Sequence, residues 1–401
     1  MRCMTRAMRD LLVAVAVVGV FAASPTLAQD IKIALLAGKT GILEAYAKQT
    51  EAGFMLGLEY ATKGTMKVLG RNIRVIVKDD QSKPDISKSL LEQAYGDDKV
   101  VLAVGTSSSA GSLAMLPVAE EFKRVLVVEP AVADSITGDK GNRYVFRVGR
   151  NSSQDALAAA AIFGKEPVSI ATLAQDYAYG REAIAAFKQA LVSVKSPAKV
   201  VFEEYTPQHA TDFTASAQRL FDALKDRPGR KIIYIMWAGP HPLTKIADLD
   251  PFRLGIEIAP GGNILPVMMS YMKYPGMEGA IGYYYDFPKN PANDWLVAEY
   301  RKRFNAPPDL SVAGGMAVAI AVVTAIEKAG STDTDKLIAA MEGMEFDTPK
   351  GTLFFRKEDH QAVQHMYHWR VKKDPVGDFD LFDLVRVIPA SELPLPIHSK
   401  H

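Results

Sequence analysis

The chain has 401 residues, of which 47 are lysine or arginine, 46 are aspartate or glutamate and one is cysteine. This near-neutral balance gives no basic surplus for binding a phosphate backbone, so we expect no nucleic-acid function. The length exceeds the roughly 250–300 residues at which single hydrophobic cores stop growing, so two domains are expected.

The first 28 residues have the three parts of a secretory signal peptide. Arg2, Arg6 and Arg9 form a basic start, residues 11–23 form an unbroken apolar run, and small Ala28 precedes the expected cleavage point. A membrane anchor is the alternative, but this run is shorter than the about 20 residues that a spanning helix needs. Cleavage also removes Cys3, so we expect an exported protein without disulfides.

Short apolar runs rich in β-branched residues then alternate with stretches of helical periodicity. Strands are predicted over residues 31–37, 73–78, 100–105, 125–129, 168–173, 200–205, 232–237 and 264–268. Helices are predicted over 44–63, 86–95, 112–122, 179–194, 213–224, 295–304, 311–329 and 334–344, with strand hairpins over 353–387. Such alternation is typical of parallel sheets covered by helices on both faces. The pattern breaks near residues 148–153 and then restarts, which indicates two doubly wound α/β lobes.

The loop after the third predicted strand reads TSSSAGS over residues 106–112. In open α/β sheets, ligands bind beyond the carboxyl ends of the strands, so this loop is a candidate site. Serine hydroxyls and free amides at a helix N-terminus can hold a carboxylate without a positive side chain. A plain serine cap is the alternative. The loop has neither the G-x-S-x-G spacing of a nucleophile elbow nor the G-K-[ST] of a P-loop.

Seven segments together resemble one family in their order and spacing: IKIALLAGKTG, VIVKDDQSKPDIS, VLAVGTSSSAGSLA, VVEPAVADSITG, YVFRVGRNSSQDA, LAQDYAYGREA and KGTLFFRKEDHQAV. The sequence resembles the branched-chain amino-acid (Leu/Ile/Val) binding proteins, which are type I periplasmic solute-binding proteins of ABC importers. The resemblance covers essentially the whole mature chain. It implies two α/β lobes joined by a three-stranded hinge, with a small carboxylate bound in the cleft between them.

The resemblance also implies a monomeric periplasmic receptor, without enzymatic activity or cofactor, that delivers its ligand to a permease in the cytoplasmic membrane. We expect residues 29–150 and 286–345 to form the N-terminal lobe. Residues 151–285 and 346–401 are then expected to form the C-terminal lobe. A periplasmic sensor that docks on a receptor is an alternative function.

The resemblance assigns site residues position by position. The family's carboxylate-binding serine falls on Ser109, and its neighbour Ser108 is also expected to contact the ligand. The family's backbone contact falls on Ala131. The position two residues later, usually Thr or Ser, is Ala133 here, which removes one hydroxyl. The aromatic residue of the first strand–helix loop is Tyr46.

The family's second-lobe tyrosine, in D-x-x-Y-G, falls on Tyr179. Trp237 closes a predicted strand and is also expected to face the cleft, although a buried structural role is the alternative. Amino-acid binders of this family carry a glutamate after the strand predicted here over 264–268. This sequence has Met269 and Tyr271 in that region and no carboxylate.

The missing glutamate predicts the class of ligand, because an ammonium buried without a counter-charge is costly. We expect an aromatic or other hydrophobic organic acid that has no amino group, in an aromatic pocket to which Met269 and Tyr271 contribute. A hydrophobic amino acid is the second possibility, with Asp134 or Asp176 as its counter-charge.

Other polar residues receive structural interpretations. Arg147 and Arg150 flank the first predicted crossing and are expected to anchor the hinge to carboxylates, with Arg150 as an alternative anion partner in the cleft. His365 and His368 alternate to opposite faces of a predicted strand, so with His360 they predict no metal site. The serine cluster has no histidine partner that would indicate an enzyme.

Overall fold

The computed structural model describes residues 29–400, so the predicted signal peptide and Cys3 lie outside the described residues. The first part of the chain alternates strands and helices. It comprises β1 (Ile31–Ala37), α1 (Glu44–Ala61), β2 (Lys67–Val68), β3 (Arg71–Asp79), α2 (Pro84–Gly96), β4 (Leu102–Val104), α3 (Ser109–Phe122), β5 (Val125–Val128) and β6 (Val145–Arg147). These strands form one sheet in the order β2-β3-β1-β4-β5-β6, parallel except for β2.

A second series follows after the first crossing. It comprises α4 (Ser152–Phe163), β7 (Val168–Gln175), α5 (Ala178–Ser193), β8 (Lys199–Thr206), α6 (Thr214–Leu224), β9 (Arg230–Met236), α7 (Leu243–Ala247), β10 (Ile256–Pro260), α8 (Leu265–Met268) and β11 (Glu278–Ile281). Strands β7 to β10 form a parallel sheet in the order β10-β9-β7-β8. Both faces are buried: Ala171 and Leu173 pack into one cluster, whereas Ile170 and Ala174 pack into another.

The last part of the chain supplies helices and two antiparallel sheets. It comprises α9 (Pro291–Phe304), α10 (Leu310–Ala329), α11 (Thr334–Met341), β12 (Glu345–Thr348), β13 (Gly351–Phe355), β14 (Ala362–Val363), β15 (Met366–Val371) and β16 (Phe382–Ile388). Strand β15 pairs with β11 and β16, while β13 pairs with β12 and β14.

Three crossings therefore connect two lobes, near residues 148–151, 282–290 and 363–365. The last crossing lies later than the boundary predicted at residue 345. Phe346, Leu353, Phe355 and Ala362 pack into the core of the first lobe, whereas Met366 packs into the second. Alternate residues of β13 are buried, so the pattern predicts one inward face of this strand. The pattern cannot predict which of the two lobes this face packs against.

The structure corrects one predicted strand. Residues 264–268 form the short helix α8, and the fourth strand of the second sheet is β10, at the edge. Pro266 fits the first turn of a helix but would remove a hydrogen bond from a central strand.

Helices α1 and α10 pack closely and set the positions of their first turns. A Cβ at Gly53 would lie 2.0 Å from the Val312 carbonyl oxygen, and one at Gly315 would lie 2.2 Å from the Thr50 carbonyl oxygen. Only glycine permits this approach. Helix α10 is long and apolar enough to span a membrane, yet 89% of its most apolar window is buried within the first lobe.

Candidate ligand-binding cleft

A cleft lies between the lobes, beyond the carboxyl ends of strands from both sheets. Its empty volume, including space open to solvent, is about 540 Å³. The loops after β1, β4 and β5 line it from the first lobe, and the loops after β7, β9 and β10 line it from the second. The lining residues are Leu43, Tyr46, Ser107, Ser109, Pro130, Ala131, Val132, Arg150, Tyr177, Tyr179, Trp237, Ala238, Gly262, Asn263, Leu310 and Ser311.

The serine loop divides its roles between neighbouring residues. Helix α3 begins at Ser109, three residues before the predicted start, and Ser108 is its N-cap, accepting a hydrogen bond from the Gly111 N–H at 3.2 Å. Ser108, which was predicted as a ligand contact, is buried and does not line the cleft. Ser107 does line the cleft, and its hydroxyl has no hydrogen-bond partner within residues 29–400.

Ser109 lies where the sequence placed it, and its hydroxyl is held from behind. The Ala133 N–H donates to Ser109 Oγ at 3.2 Å, which leaves the serine's own proton free for a ligand. Ala133 was also predicted as a ligand contact, but it is fully buried and does not line the cleft. Ala131 does line the cleft, and its main-chain N–H and C=O make no hydrogen bond within the described part of the chain.

Aromatic side chains form much of the cleft wall. Tyr46, Tyr179 and Trp237 line it as expected, and Tyr177 is a further member that sequence reasoning missed. The rings of Tyr177 and Tyr179 lie 5.9 Å apart in an edge-to-face arrangement. Burial is the main cause that raises the pKa of Tyr46, to about 12, so this hydroxyl remains a hydrogen-bond donor at neutral pH.

Two further predicted contacts lie away from the cleft. Tyr271 is fully buried in the core of the second lobe, where its ring stacks on Trp369 at 6.0 Å. Met269 is 40% exposed. Both predictions assumed a strand over 264–268, whereas the loop that enters the cleft is the one after β10, with Gly262 and Asn263.

Arg150 is the charged side chain that lines the cleft among the described residues. Its Nε donates to Asp155 Oδ1 at 2.7 Å, and its two terminal nitrogens make no hydrogen bond within the same range. Burial disfavours the cation, but the charge and hydrogen bond of Asp155 outweigh it and raise the pKa of Arg150. Arg147 instead binds neutral oxygens of Gln361 and Thr137, at 2.6 and 2.8 Å, so its expected carboxylate partner is absent from its hydrogen bonds.

The two acids considered as counter-charges for an amine do not line the cleft. Asp134 accepts hydrogen bonds from the Ser153 N–H and hydroxyl at 2.9 and 2.7 Å. Asp176 forms an exposed ion pair with Arg181 at 2.7 Å. The cleft wall offers a hydrogen-bond donor in place of an acid. Trp237 Nε1 is buried and has no hydrogen-bond partner within residues 29–400.

Hydrogen bonds join the two lobes across the cleft. Tyr46 donates its hydroxyl proton to Asn263 Oδ1 and accepts from the Gly239 N–H at 3.2 Å. The Leu265 N–H donates to Asp309 Oδ2 at 2.7 Å, and the Ser135 hydroxyl donates to Glu182 Oε1 at 2.7 Å. The lobes are therefore closed on each other.

The three late histidines are dispersed. His360 is buried and stacks on Phe146 at 3.9 Å, His365 contacts the Tyr367 hydroxyl at 2.7 Å, and His368 contacts Glu278 at 3.0 Å. Across the described chain, no three His, Cys, Asp or Glu side chains form a group that could hold a metal ion.

A family model for periplasmic binding proteins matches residues 30–375. The chain belongs to the periplasmic binding protein family. The predicted resemblance and the two-lobed type I fold are thereby confirmed, and this periplasmic binding protein is the solute-binding component of an ABC transporter. Members of the family work with a membrane permease and in general bind solutes without catalysing a reaction.

Similar proteins have been described with different ligands in their names. A crystal structure of an ABC-type branched-chain amino acid transporter from Rhodopseudomonas palustris is 64% identical, with a TM-score of 0.82, covering 93% of this chain and 100% of that one. A solute-binding protein from R. palustris BisB5, in complex with 3,4-dihydroxy benzoic acid, is 27% identical with a TM-score of 0.78, covering 90% and 98%. The leucine-, isoleucine-, valine-, threonine- and alanine-binding protein of Pseudomonas aeruginosa is 26% identical over 88% of this chain and 92% of its own length.

Proposed function

We propose that this periplasmic binding protein captures a small aromatic or hydrophobic organic acid that lacks an α-amino group, and delivers it to an ABC importer. The observation that supports this most directly is the charge of the cleft. Arg150 lines it, together with hydrogen-bond donors that have no protein partner, and no carboxylate lines it within residues 29–400. A cleft of this kind favours a ligand that is an anion and a hydrogen-bond acceptor.

The carboxylate of the ligand binds at the serine loop. Ser109 and Ser107 offer hydroxyl protons, and the first N–H groups of α3 lack partners inside the helix. The terminal nitrogens of Arg150 add a positive charge on the same cleft. Hydrogen bonds between charged and polar groups of this kind contribute about 1.5–3 kcal/mol each.

The body of the ligand packs among Tyr46, Tyr177, Tyr179 and Trp237. Aromatic walls favour a flat or bulky apolar group, because they bury a large area and stack on other rings. The relative from R. palustris BisB5, which is in complex with 3,4-dihydroxy benzoic acid, supports an aromatic acid. An ammonium would enter this cleft without a carboxylate on its wall, at the cost of an unpaired buried charge.

A hydrophobic amino acid is the second candidate. It is favoured by the 64% identity to a protein described as a branched-chain amino acid transporter and by the P. aeruginosa relative. Asp155 is the acid that would have to accept the ammonium, because it adjoins Arg150 at 2.7 Å. The existing ion pair with Arg150 opposes this role.

A thermal-shift assay with matched ligands tests the proposal on residues 29–401. The pairs are isocaproate with leucine and phenylpropanoate with phenylalanine, which differ by the α-amino group alone. A ligand that binds the native state raises the melting temperature by mass action. We expect shifts with the acids and none with the amino acids. Shifts confined to the amino acids would contradict the proposed ligand class while leaving the transport role intact.

A further inference from the structure

A second cavity adjoins the cleft inside the C-terminal lobe, and we call it the annex. Its empty volume, including space open to solvent, is about 430 Å³, and its lining shares Tyr179 and Gly262 with the cleft. Asp155, Phe187, Tyr234 and Met236 also line it. The annex therefore meets the cleft at Tyr179 and Gly262.

Apolar side chains form about half of the annex wall. Phe187 on α5 and Tyr234 on β9 pack with their ring centroids 4.8 Å apart, and Met236 follows on the same strand. Small Ala183 keeps the space between α5 and the sheet open. Such a wall buries a hydrocarbon or ring, whose transfer from water is favourable in proportion to its area.

Polar atoms of the annex lack partners. The Tyr234 side chain is only 5% exposed, yet its hydroxyl makes no hydrogen bond within residues 29–400, and neither does the Tyr179 hydroxyl. Asp155 Oδ1 accepts a hydrogen bond from Arg150 Nε, while Asp155 Oδ2 accepts none within the described chain. Asp155 lines the annex, whereas its ion-pair partner Arg150 lines the cleft. A second anion would meet Asp155 and a cation would meet Arg150, so an uncharged hydroxyl fits best.

We propose that the annex receives the far end of an elongated ligand, and that this end carries an uncharged hydroxyl which hydrogen-bonds to Tyr234 and Asp155. The inference rests on the proposed function, because the ligand's carboxylate must bind at the serine loop for its body to point this way. The proposal specifies that the ligand is elongated and carries a second polar group at its far end. It makes Tyr234, Asp155 and Ala183 determinants of specificity.

The test measures dissociation constants by isothermal titration calorimetry with three acids. Benzoate is the short ligand, phenylpropanoate the longer one and para-hydroxyphenylpropanoate the longer one with a distal hydroxyl. Ala183→Leu fills the annex, and Ala185→Leu on the exposed face of α5 is its matched control. Tyr234→Phe removes one hydroxyl and keeps the ring.

We expect wild type to bind para-hydroxyphenylpropanoate most tightly. Ala183→Leu should weaken both longer acids by about tenfold and leave benzoate within about twofold, since overpacking acts where the annex is occupied. Tyr234→Phe should reduce the preference for the hydroxylated acid over phenylpropanoate by about fivefold, as for one hydrogen bond. Ala185→Leu should change nothing.

Two results would overturn the proposed role of the annex while the proposed function stands. One is an equal effect of Ala183→Leu on benzoate and on the longer acids, and the other is an unchanged preference of Tyr234→Phe for the hydroxylated acid over phenylpropanoate. Wild type that binds none of the three acids, and not isocaproate either, would overturn the proposed function; binding of isocaproate alone would overturn the proposal for the annex and leave the proposed function in place. The Tyr234→Phe measurement stays informative if Ala183→Leu lowers the melting temperature too far to be studied.

Discussion

Tyr46 of the first lobe donates its hydroxyl proton to Asn263 of the second lobe, so a residue that lines the cleft also holds the lobes together. The Gly239 N–H, also from the second lobe, donates to the same hydroxyl at 3.2 Å. These bonds cross the cleft, so an opening of the lobes would break them. We expect ligand binding and closure to be coupled, because anything that stabilises the closed form raises the apparent affinity of a ligand that binds this form.

Tyr46→Phe should weaken ligand binding by about tenfold, because the closed form loses one to two net hydrogen bonds. Isothermal titration calorimetry gives the affinity. Tyr60→Phe is the matched control: Tyr60 lies on the same helix and packs on Trp295 at 5.1 Å, with no hydrogen bond from its hydroxyl within residues 29–400. Equal affinities for Tyr46→Phe and wild type would show that this link does not control closure.

Ser109→Ala and Ser108→Ala should separate binding from stability. Ser109→Ala removes a donor to the ligand's carboxylate and should cost about 1–3 kcal/mol of binding energy. Ser108→Ala removes a helix cap and should lower the free energy of unfolding by about 1 kcal/mol, with a smaller effect on affinity. Titration calorimetry and chemical denaturation measure the two quantities. A larger loss of affinity in Ser108→Ala would contradict the assignment of roles.

Arg150→Met should weaken binding of every carboxylate ligand by about tenfold or more, because it removes the positive charge on the cleft wall. Arg150→Lys should recover part of the affinity, since lysine keeps the charge but not the planar fork. Arg181→Met is the control, as Arg181 is an exposed partner of Asp176 away from the cleft. Affinity that survives Arg150→Met would place the carboxylate elsewhere.

Asp309 should make stability depend on pH between about 4 and 6. Burial is the main cause that raises its pKa to about 6, although the N–H groups of Leu265 and Leu310 and the Gln49 amide donate to it. The native state thus takes up this proton at a higher pH than the unfolded chain. The stability that this proton adds is fully present below about pH 4 and is lost as the pH rises through about 6. A pKa shift of roughly two units corresponds to about 3 kcal/mol of unfolding free energy.

Chemical denaturation of wild type and Asp309→Asn at several pH values between 4 and 7 isolates this contribution. The difference in unfolding free energy, wild type minus variant, should fall as pH rises, while other titrating groups cancel. Asp335→Asn, at an exposed position on α11, controls for the loss of one carboxylate. A difference that stays constant with pH would contradict the assignment.

Much of the fold follows from the sequence because its strands have distinct patterns. Residues 31–37 were predicted as a strand and form β1 with the same bounds, since a buried parallel strand is apolar on both faces. Residues 264–268 are equally apolar but form a helix, because so short a run has no period to tell strand from helix. Pro266 was the available signal.

The site was predicted less completely, because it depends on single residues and on tertiary contacts. Helix α3 begins three residues before the start predicted from its pattern, and such a shift decides whether Ser107 or Ser108 faces the cleft. Arg150 was placed beside the hinge, but the direction of its side chain depends on Asp155 in the next helix. Tyr177 can be recognised as a cleft residue only from the packing of the loop after β7.

The most direct test of the central claim is isothermal titration calorimetry of residues 29–401 with phenylpropanoate and phenylalanine, which differ by one amino group. A cleft lined by Arg150 and by no carboxylate predicts that phenylpropanoate binds at least about tenfold more tightly, since the neighbouring Asp155 is already paired with Arg150 and a buried ammonium would lack a partner. Tighter binding of phenylalanine would contradict this account and would identify the protein as an amino-acid receptor in which Asp155 or another acid meets the ammonium.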